Sequence, residues 1–328
     1  MKTGMTKIAW GVYVGRFEPP HRAHLAVMQE ALGEVETLVV VLGSARSART
    51  PKNPFTDAER AGMIWGALGE AGVDSSRVRL AAVPDLYDLA AWADAVRKAV
   101  LNVTGADAGI AVVGHDKDES SAYLRAFPGW PFIPTRVRSD LSATQVRRAL
   151  FDENFAAVEA SVPPNVAQFL LDFTKTPQFA VLREEDAFLR GWQAEWAQAP
   201  EPPVFVAAHG LVTSGNQVLL TRRPDFPGKN LLMLPGGPLH QKRTLTASLR
   251  LHVLEQNGLE LPVFSAQPDE VFDHPERTLS GREIAYVFRA GLEERAGGEW
   301  FALEDALARP EQFYADHHRM LELMLGRG

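Results

Sequence analysis

Two histidines three residues apart close the stretch "GRFEPPHRAH", Gly15 to His24, where an apolar, β-rich run gives way to a helical one. At that spacing His21 and His24 share one side of a helix start. Free backbone N–H groups there already favour anions, and two imidazoles beside them can hydrogen-bond phosphate oxygens. A His-x-x-His standing alone is more often a helix cap and a solvated ring. The preceding strand, the Gly15-Arg16-Phe17 turn and the stiff Pro19-Pro20 pair favour the phosphate reading. A second constellation, "SATQVR", offers Ser142 as a capping hydroxyl and sets Thr144 and Arg147 on the opening turns of the next helix, another anion-binding arrangement.

Composition restricts what can surround these groups. The 34 Lys and Arg against 41 Asp and Glu leave a net charge of −7, so no overall positive field draws nucleic acid, and local Arg, Lys and His clusters must hold any anion. Zero Cys excludes disulfides, thiolate nucleophiles and Cys-ligated zinc together. The start "MKTGMTKIAW" lacks a basic segment leading into a long apolar one, and no apolar run nears about 18 residues. The expectation is a cytoplasmic protein with no membrane and no nucleic-acid partner. A homo-oligomer is compatible with the sequence.

The elements that must position the motifs fall into two halves. "KIAWGVYVG", "TLVVVLGS", "VRLAAVPD" and "GIAVVGHD" are short β-rich runs, each followed by a helical stretch; Thr56-Asp57-Ala58-Glu59 fits a capping box at one such helix. Strands alternating with helices predict an α/β fold, a Rossmann-like doubly wound parallel sheet with its ligand at the carboxyl ends of the strands. This domain is expected over 1–176. A linker of amphipathic helix and Pro-rich segment follows over 177–202, then an α+β domain over 203–328 with a hairpin around Ser214-Gly215-Asn216 and the strand "REIAYVFRAG". Arg46, Arg49 and Lys52 lie in a loop after a strand end, where a nucleotide site in such a sheet needs cations, and are assigned to phosphate contacts.

"HRAH" and "SATQVR" resemble the nucleotidyltransferase superfamily, whose pattern is His-x-Gly-His followed later by Ser-x-Thr-x-x-Arg. Between them, "GSARSARTPKNPFTDAER" and "GHDKDESSAYLRAFPGW" are similar to the nicotinamide mononucleotide adenylyltransferase part of bifunctional adenylyltransferase/Nudix proteins, and the likeness runs through the chain. The second stretch separates this reading from a cytidylyltransferase or a pantetheine-phosphate adenylyltransferase, which share both phosphate motifs. The resemblance implies a reaction of ATP, with Mg²⁺, and nicotinamide mononucleotide that yields NAD and pyrophosphate. It implies that His21, His24 and Arg147 are catalytic, and that Gly15, Arg16, Phe17, Ser142 and Thr144 cradle ATP phosphates. It also implies that Asp116, Lys117 and Asp118 contact nucleotide, and that Trp92 stacks on nicotinamide beside Asp88, whose carboxylate can accept from the carboxamide. Two residues depart from the pattern: Ala23 replaces its Gly, and Asp88-Leu89 stands where an Asn-Asp pair is expected.

"RRPDFPGKNLLMLPGGPLH" and "FDHPERTLSGREIAYVF" resemble the Nudix domain of the same proteins, a family of Mg²⁺-dependent hydrolases often acting on ADP-ribose. Counted from Gly237, Arg243 takes the place of the first Glu of that family's box, and His252, Glu255 and Gln256 fill the face where three carboxylates at i, i+3 and i+4 would hold a hard cation. Only Glu255 remains as a metal ligand. The second domain is therefore expected to be hydrolytically impaired, and either to bind ADP-ribose or another nucleotide uncleaved or to serve in packing. Two alternatives are a truly bifunctional enzyme using His252, Glu255 and Glu283 as unusual ligands, and a nucleotide sensor with neither activity.

Overall fold

Alternate residues of a strand serve opposite faces, and the run "VETLVVVL" (β2, Val35–Leu42) is apolar on both. Val39 and Val41 join Val12 and Val14 of β1 (Ile8–Gly15) in packing against α3 (Leu89–Thr104). Leu38, Val40 and Leu42 pack with α1 (Arg22–Glu34) and α2 (Asp57–Glu70). A sheet covered by helices on both sides has this character. The computed structural model describes residues 8–115, 125–136, 140–261 and 267–326. The chain divides into two units, Met1–Arg183 and Glu184–Gly328.

In the first unit β3 (Val78–Ala82), β4 (Ile110–Gly114) and β5 (Phe132–Pro134) complete a five-stranded, wholly parallel sheet in the order β3-β2-β1-β4-β5. This is the Rossmann-like sheet the sequence predicts, with one strand added: β5 is three residues long, too short to show a period. The order reverses between β1 and β4. Their carboxyl ends, Gly15 and Gly114, therefore flank the crevice where such sheets bind ligands. Three further helices, α4 (Ala143–Phe151), α5 (Phe155–Ser161) and α6 (Pro164–Phe173), share a core with Phe55 and Met63.

The next helix, α7 (Pro177–Trp196), begins at the predicted linker and runs across the division between the units. Its Phe179 and Leu182 lie in the core of the first unit, whereas Glu185 accepts from Gly228 N–H at 2.8 Å in the second.

The second unit is a mixed sheet. β6 (Val204–Ser214) and β7 (Gln217–Arg222) form the hairpin around Gly215-Asn216. The order is β10 (Glu270–Phe272), β11 (Arg282–Gly291), β6, β7, β12 (Glu299–Ala302), with β11 parallel to β6. Two short strands branch off: β8 (Leu232–Met233) pairs with β7, and β9 (Gly236–Pro238) pairs with β6. Helix α8 (Leu245–Asn257) packs Leu249 and Val253 on this sheet, and α9 (Leu303–Leu307) and α10 (His317–Met324) cover a second apolar cluster. Among the described residues no helix is long and apolar enough to cross a membrane.

Gly236 is what lets β9 lie against β6. Its φ is +143°, and a Cβ there would stand 2.2 Å from Ala208 O, a backbone atom with little freedom to move. Gly236→Ala is expected to destabilise the second unit by about 2–4 kcal/mol, read from the urea dependence of amide exchange in β6.

Candidate active site

The turn after β1 is built on glycine and aromatic packing. A Cβ at Gly15 would come within 2.8 Å of the Phe17 ring, which is buried and meets the rings of Tyr13 and His24 edge-on at 5.4 and 4.9 Å. Phe17 itself adopts φ +54°, turning the chain sharply toward α1. His21 is the N-cap residue of α1 and is buried; His24 is half-buried one turn on, and the two rings stack at 3.6 Å and 19°. The His21 backbone N–H donates to His24 Nδ1 at 3.2 Å. That nitrogen accepts, so in the neutral ring the proton sits on Nε2.

Arg147 comes to the same turn from α4. Its guanidinium donates to Glu18 O at 2.6 Å and to Thr144 Oγ1 at 3.2 Å. Burial, then the charge of nearby Arg16, lowers the Arg147 pKa to about 10, against the pull of Glu18. A part-buried guanidinium with a second, exposed one near enough to shift it favours an anion between or beside them. Ser142 caps α4, accepting from Gln145 N–H at 3.3 Å, while Gln145 Oε1 accepts from Ser142 N–H at 2.8 Å. The helix start and both phosphate motifs thus meet through Glu18 O.

Beneath them lies an ion pair absent from the sequence reading. Glu18 and Arg60 are both 1% exposed, with Oε1 and Nε 3.1 Å apart, and Phe55 N–H donates to Glu18 Oε2 at 3.1 Å. Arg60 also donates to Arg16 O and Gly43 O at 2.6 and 2.7 Å. A sequence signal did exist. Arg60 occupies the stripe of α2 otherwise filled by Met63, Ile64, Ala67 and Leu68, all buried, and a charge in an apolar stripe requires a partner. Burial pushes the Glu18 carboxyl up to about 8, against the attraction of Arg60. Ser44, at φ +50° beyond β2, buries a hydroxyl with no hydrogen-bond partner among the described residues and is a further polar group at this end of the sheet.

The other expected residues divide. Arg46 is exposed at φ +57°, and Lys52 is half-buried, both in the loop after β2. Arg49 is engaged within its own loop: Glu59 takes its guanidinium through both oxygens at 2.7 and 2.8 Å, Pro54 O accepts at 2.7 Å, and the cation lies 5.6 Å from the Phe173 ring centre. Asp88 is the N-cap of α3, its Oδ1 accepting from Ala91 N–H at 2.7 Å, so one oxygen serves the helix. Trp92 packs against the core and stands 6.0 Å from the Phe127 ring. Asp116, Lys117 and Asp118 lie outside the described residues.

In the second unit Arg243 and Glu255 are exposed, and His252 and Gln256 turn toward β9, where Gly237 passes within 3.1 Å of the His252 ring by the measure of an added Cβ. Glu283 is not available to a metal. Arg277, buried, binds it at 2.5 Å and binds Asp316 through both carboxylate oxygens at 2.8 and 3.0 Å. Among the described residues no three His, Asp or Glu side chains converge as a metal site would require.

A cytidylyltransferase-like family profile matches residues 12–149. The chain is 32% identical over 182 residues to a nicotinamide/nicotinic acid mononucleotide adenylyltransferase of Acinetobacter baylyi, covering 55% of this chain and 95% of that one. The chain belongs to the nicotinamide mononucleotide adenylyltransferase family. A Thermococcus sibiricus nicotinamide-nucleotide adenylyltransferase is 31% identical over 174 residues, covering 52% of this chain and 88% of its own. The crystal structure of a bifunctional NMN adenylyltransferase/ADP ribose pyrophosphatase from Francisella tularensis superposes with a TM-score of 0.89 at 27% identity, covering 97% of this chain and 99% of that one. A second structure of that protein, with AMP and a manganese ion, gives 0.86 at 25% over the same shares. The likeness to that bifunctional protein therefore takes in both units of this chain, and not the adenylyltransferase part alone.

The raised Glu18 pKa has a consequence for stability. In the unfolded chain the group titrates near 4.5 and in the folded chain near 8, so its contribution is fully present below pH 4.5 and is lost as pH rises through 8. The unfolding free energy of the wild type, read from urea titrations, is expected to fall between pH 5 and 8.5 by an amount on the order of a few kcal/mol, and Glu18→Gln should flatten that slope.

Proposed function

We propose that the first unit transfers the AMP moiety of ATP to nicotinamide mononucleotide, releasing pyrophosphate and forming NAD. The observation that supports this reading is the donation of Arg147 to Glu18 O, which brings the capped start of α4 to the turn after β1 that carries Arg16, His21 and His24. In the reaction an oxygen of the mononucleotide phosphate attacks the α-phosphorus of ATP in line, the new P–O bond forms, and the bond to the β-phosphate oxygen breaks. No protein nucleophile is needed, in keeping with a chain without Cys. The protein's contribution is position and charge.

His24 donates from Nε2 to a phosphate oxygen, its orientation fixed by the His21 N–H. Arg147, held in place by Glu18 O and Thr144, supplies positive charge where negative charge accumulates, and Arg16 adds to it. Because no acidic cage occurs among the described residues, the divalent cation, Mg²⁺ in the cell, belongs with ATP as the metal–nucleotide complex; it neutralises phosphate charge. Trp92 and Asp88, at the start of α3, are assigned to the nicotinamide nucleotide. The second unit, with one acid on the relevant face of α8, does not hydrolyse ADP-ribose.

Purified protein given MgATP and nicotinamide mononucleotide is expected to produce NAD, and His24→Ala and Arg147→Ala to lower kcat by about 10²–10³-fold each. Wild-type product no greater than the His24→Ala control would defeat the proposal. The carboxylate of Asp88 disfavours a second carboxylate, so kcat/KM for the amide substrate should exceed that for nicotinic acid mononucleotide by about tenfold or more, roughly 1.4 kcal/mol. Asp88→Asn, which keeps the helix cap, should narrow the ratio.

A further inference from the structure

The α8 face that lacks its carboxylates is wired into the strand beside it. Gln256 Oε1 accepts from Gly236 N–H at 3.0 Å, and Gln256 Nε2 donates to Gly236 O at 2.7 Å, so one side-chain amide satisfies both backbone groups of one residue. One turn earlier, His252 Nε2 lies 2.8 Å from Pro238 O. A carbonyl only accepts, so the His252 proton is on Nε2. Three side-chain hydrogen bonds thus tie β9 to α8, in addition to the pairing of β9 with β6.

The donors present are those a divalent cation does not use. A hard cation takes oxygens, carboxylates above all. Here the Gln256 oxygen is occupied, its nitrogen points at a carbonyl, and His252 presents an N–H to another carbonyl. Arg243 and Glu255 are exposed, and Arg277 holds Glu283. These residues do not fit a metal.

They do fit the carbonyls. Were positions 252 and 256 carboxylates, each would set a charged acceptor against a carbonyl oxygen, Pro238 O or Gly236 O, and a cation between the two acceptors would relieve that repulsion. Neutral donors remove that repulsion. We infer that His252 and Gln256 form a permanent hydrogen-bonded clamp in place of a metal bridge, so that the closure of β9 on α8 is independent of divalent cations. This goes beyond the absence of hydrolysis proposed above, because it assigns these two side chains a role of their own.

Amide exchange of Gly236 in the full-length protein reads the clamp directly. Its rate is expected to be the same in Mn²⁺ and in EDTA, to rise at least tenfold in Gln256→Ala, and to rise similarly in metal-free Gln256→Glu, where carboxylate faces carbonyl. Unchanged amide protection in β6 and β11 of Gln256→Ala certifies that the second unit stays folded. In a Mn²⁺ titration followed by electron paramagnetic resonance without nucleotide, the wild type should hold no ion at the second unit, and Arg243→Glu/His252→Glu/Gln256→Glu should gain one. Slower Gly236 exchange in Mn²⁺ than in EDTA, an ion lost on Glu255→Gln, or Gln256→Ala exchanging like wild type would each overturn the clamp. ADP-ribose cleavage by a wild type whose Gly236 ignores Mn²⁺ would instead defeat only the reading that the domain is hydrolytically silent.

Discussion

The candidate active site hangs on one buried ion pair. Arg60 reaches from α2 to the carbonyls of Arg16 and Gly43, and so holds the turns after β1 and β2 at a fixed separation. Its partner Glu18 takes Phe55 N–H on its carboxylate and gives its own carbonyl to Arg147 of α4. Four segments distant in sequence meet on two side chains. A buried pair of this kind contributes little net stability compared with an apolar replacement of equal volume, whereas loss of one partner leaves a charge stranded, at a cost of about 3–5 kcal/mol. Its value here is geometric. The anion-binding groups stand on loops, and the pair allows those loops one arrangement.

What could be read from the sequence was local. The capping hydroxyl of Ser142 and the Thr56–Glu59 box act over three residues, and the parallel strands declare themselves by continuous apolar runs. What could not be read involves partners far apart or too little chain. Glu18 and Arg60 are 42 positions apart, and only the misplaced charge on the α2 stripe hints at them. The pairing of Arg49 with Glu59, ten residues on, crosses a loop whose path no pattern reveals. Asp88 was read for a ligand and also serves a helix end. β5 is three residues long and has no periodicity to detect.

The second unit separates fold from chemistry. Its sheet, its α8 contacts through Leu249 and Val253, and the close approach allowed by Gly236 depend on apolar packing and on a missing Cβ. None depends on acids. A helix face with a single carboxylate is therefore compatible with this architecture, whose likeness to the Francisella structure extends over 97% of the chain.

Helix α7 bears on how such a chain can be divided. Phe179 and Leu182 belong to one core, while Glu185 and Trp192, whose indole N–H donates to Ser280 O at 2.9 Å, belong to the other. No loop lies between these two sets. A cut within α7 must fall between Leu182 and Glu185 if each unit is to keep its own side chains, and even there it removes the helix hydrogen bonds that cross the cut.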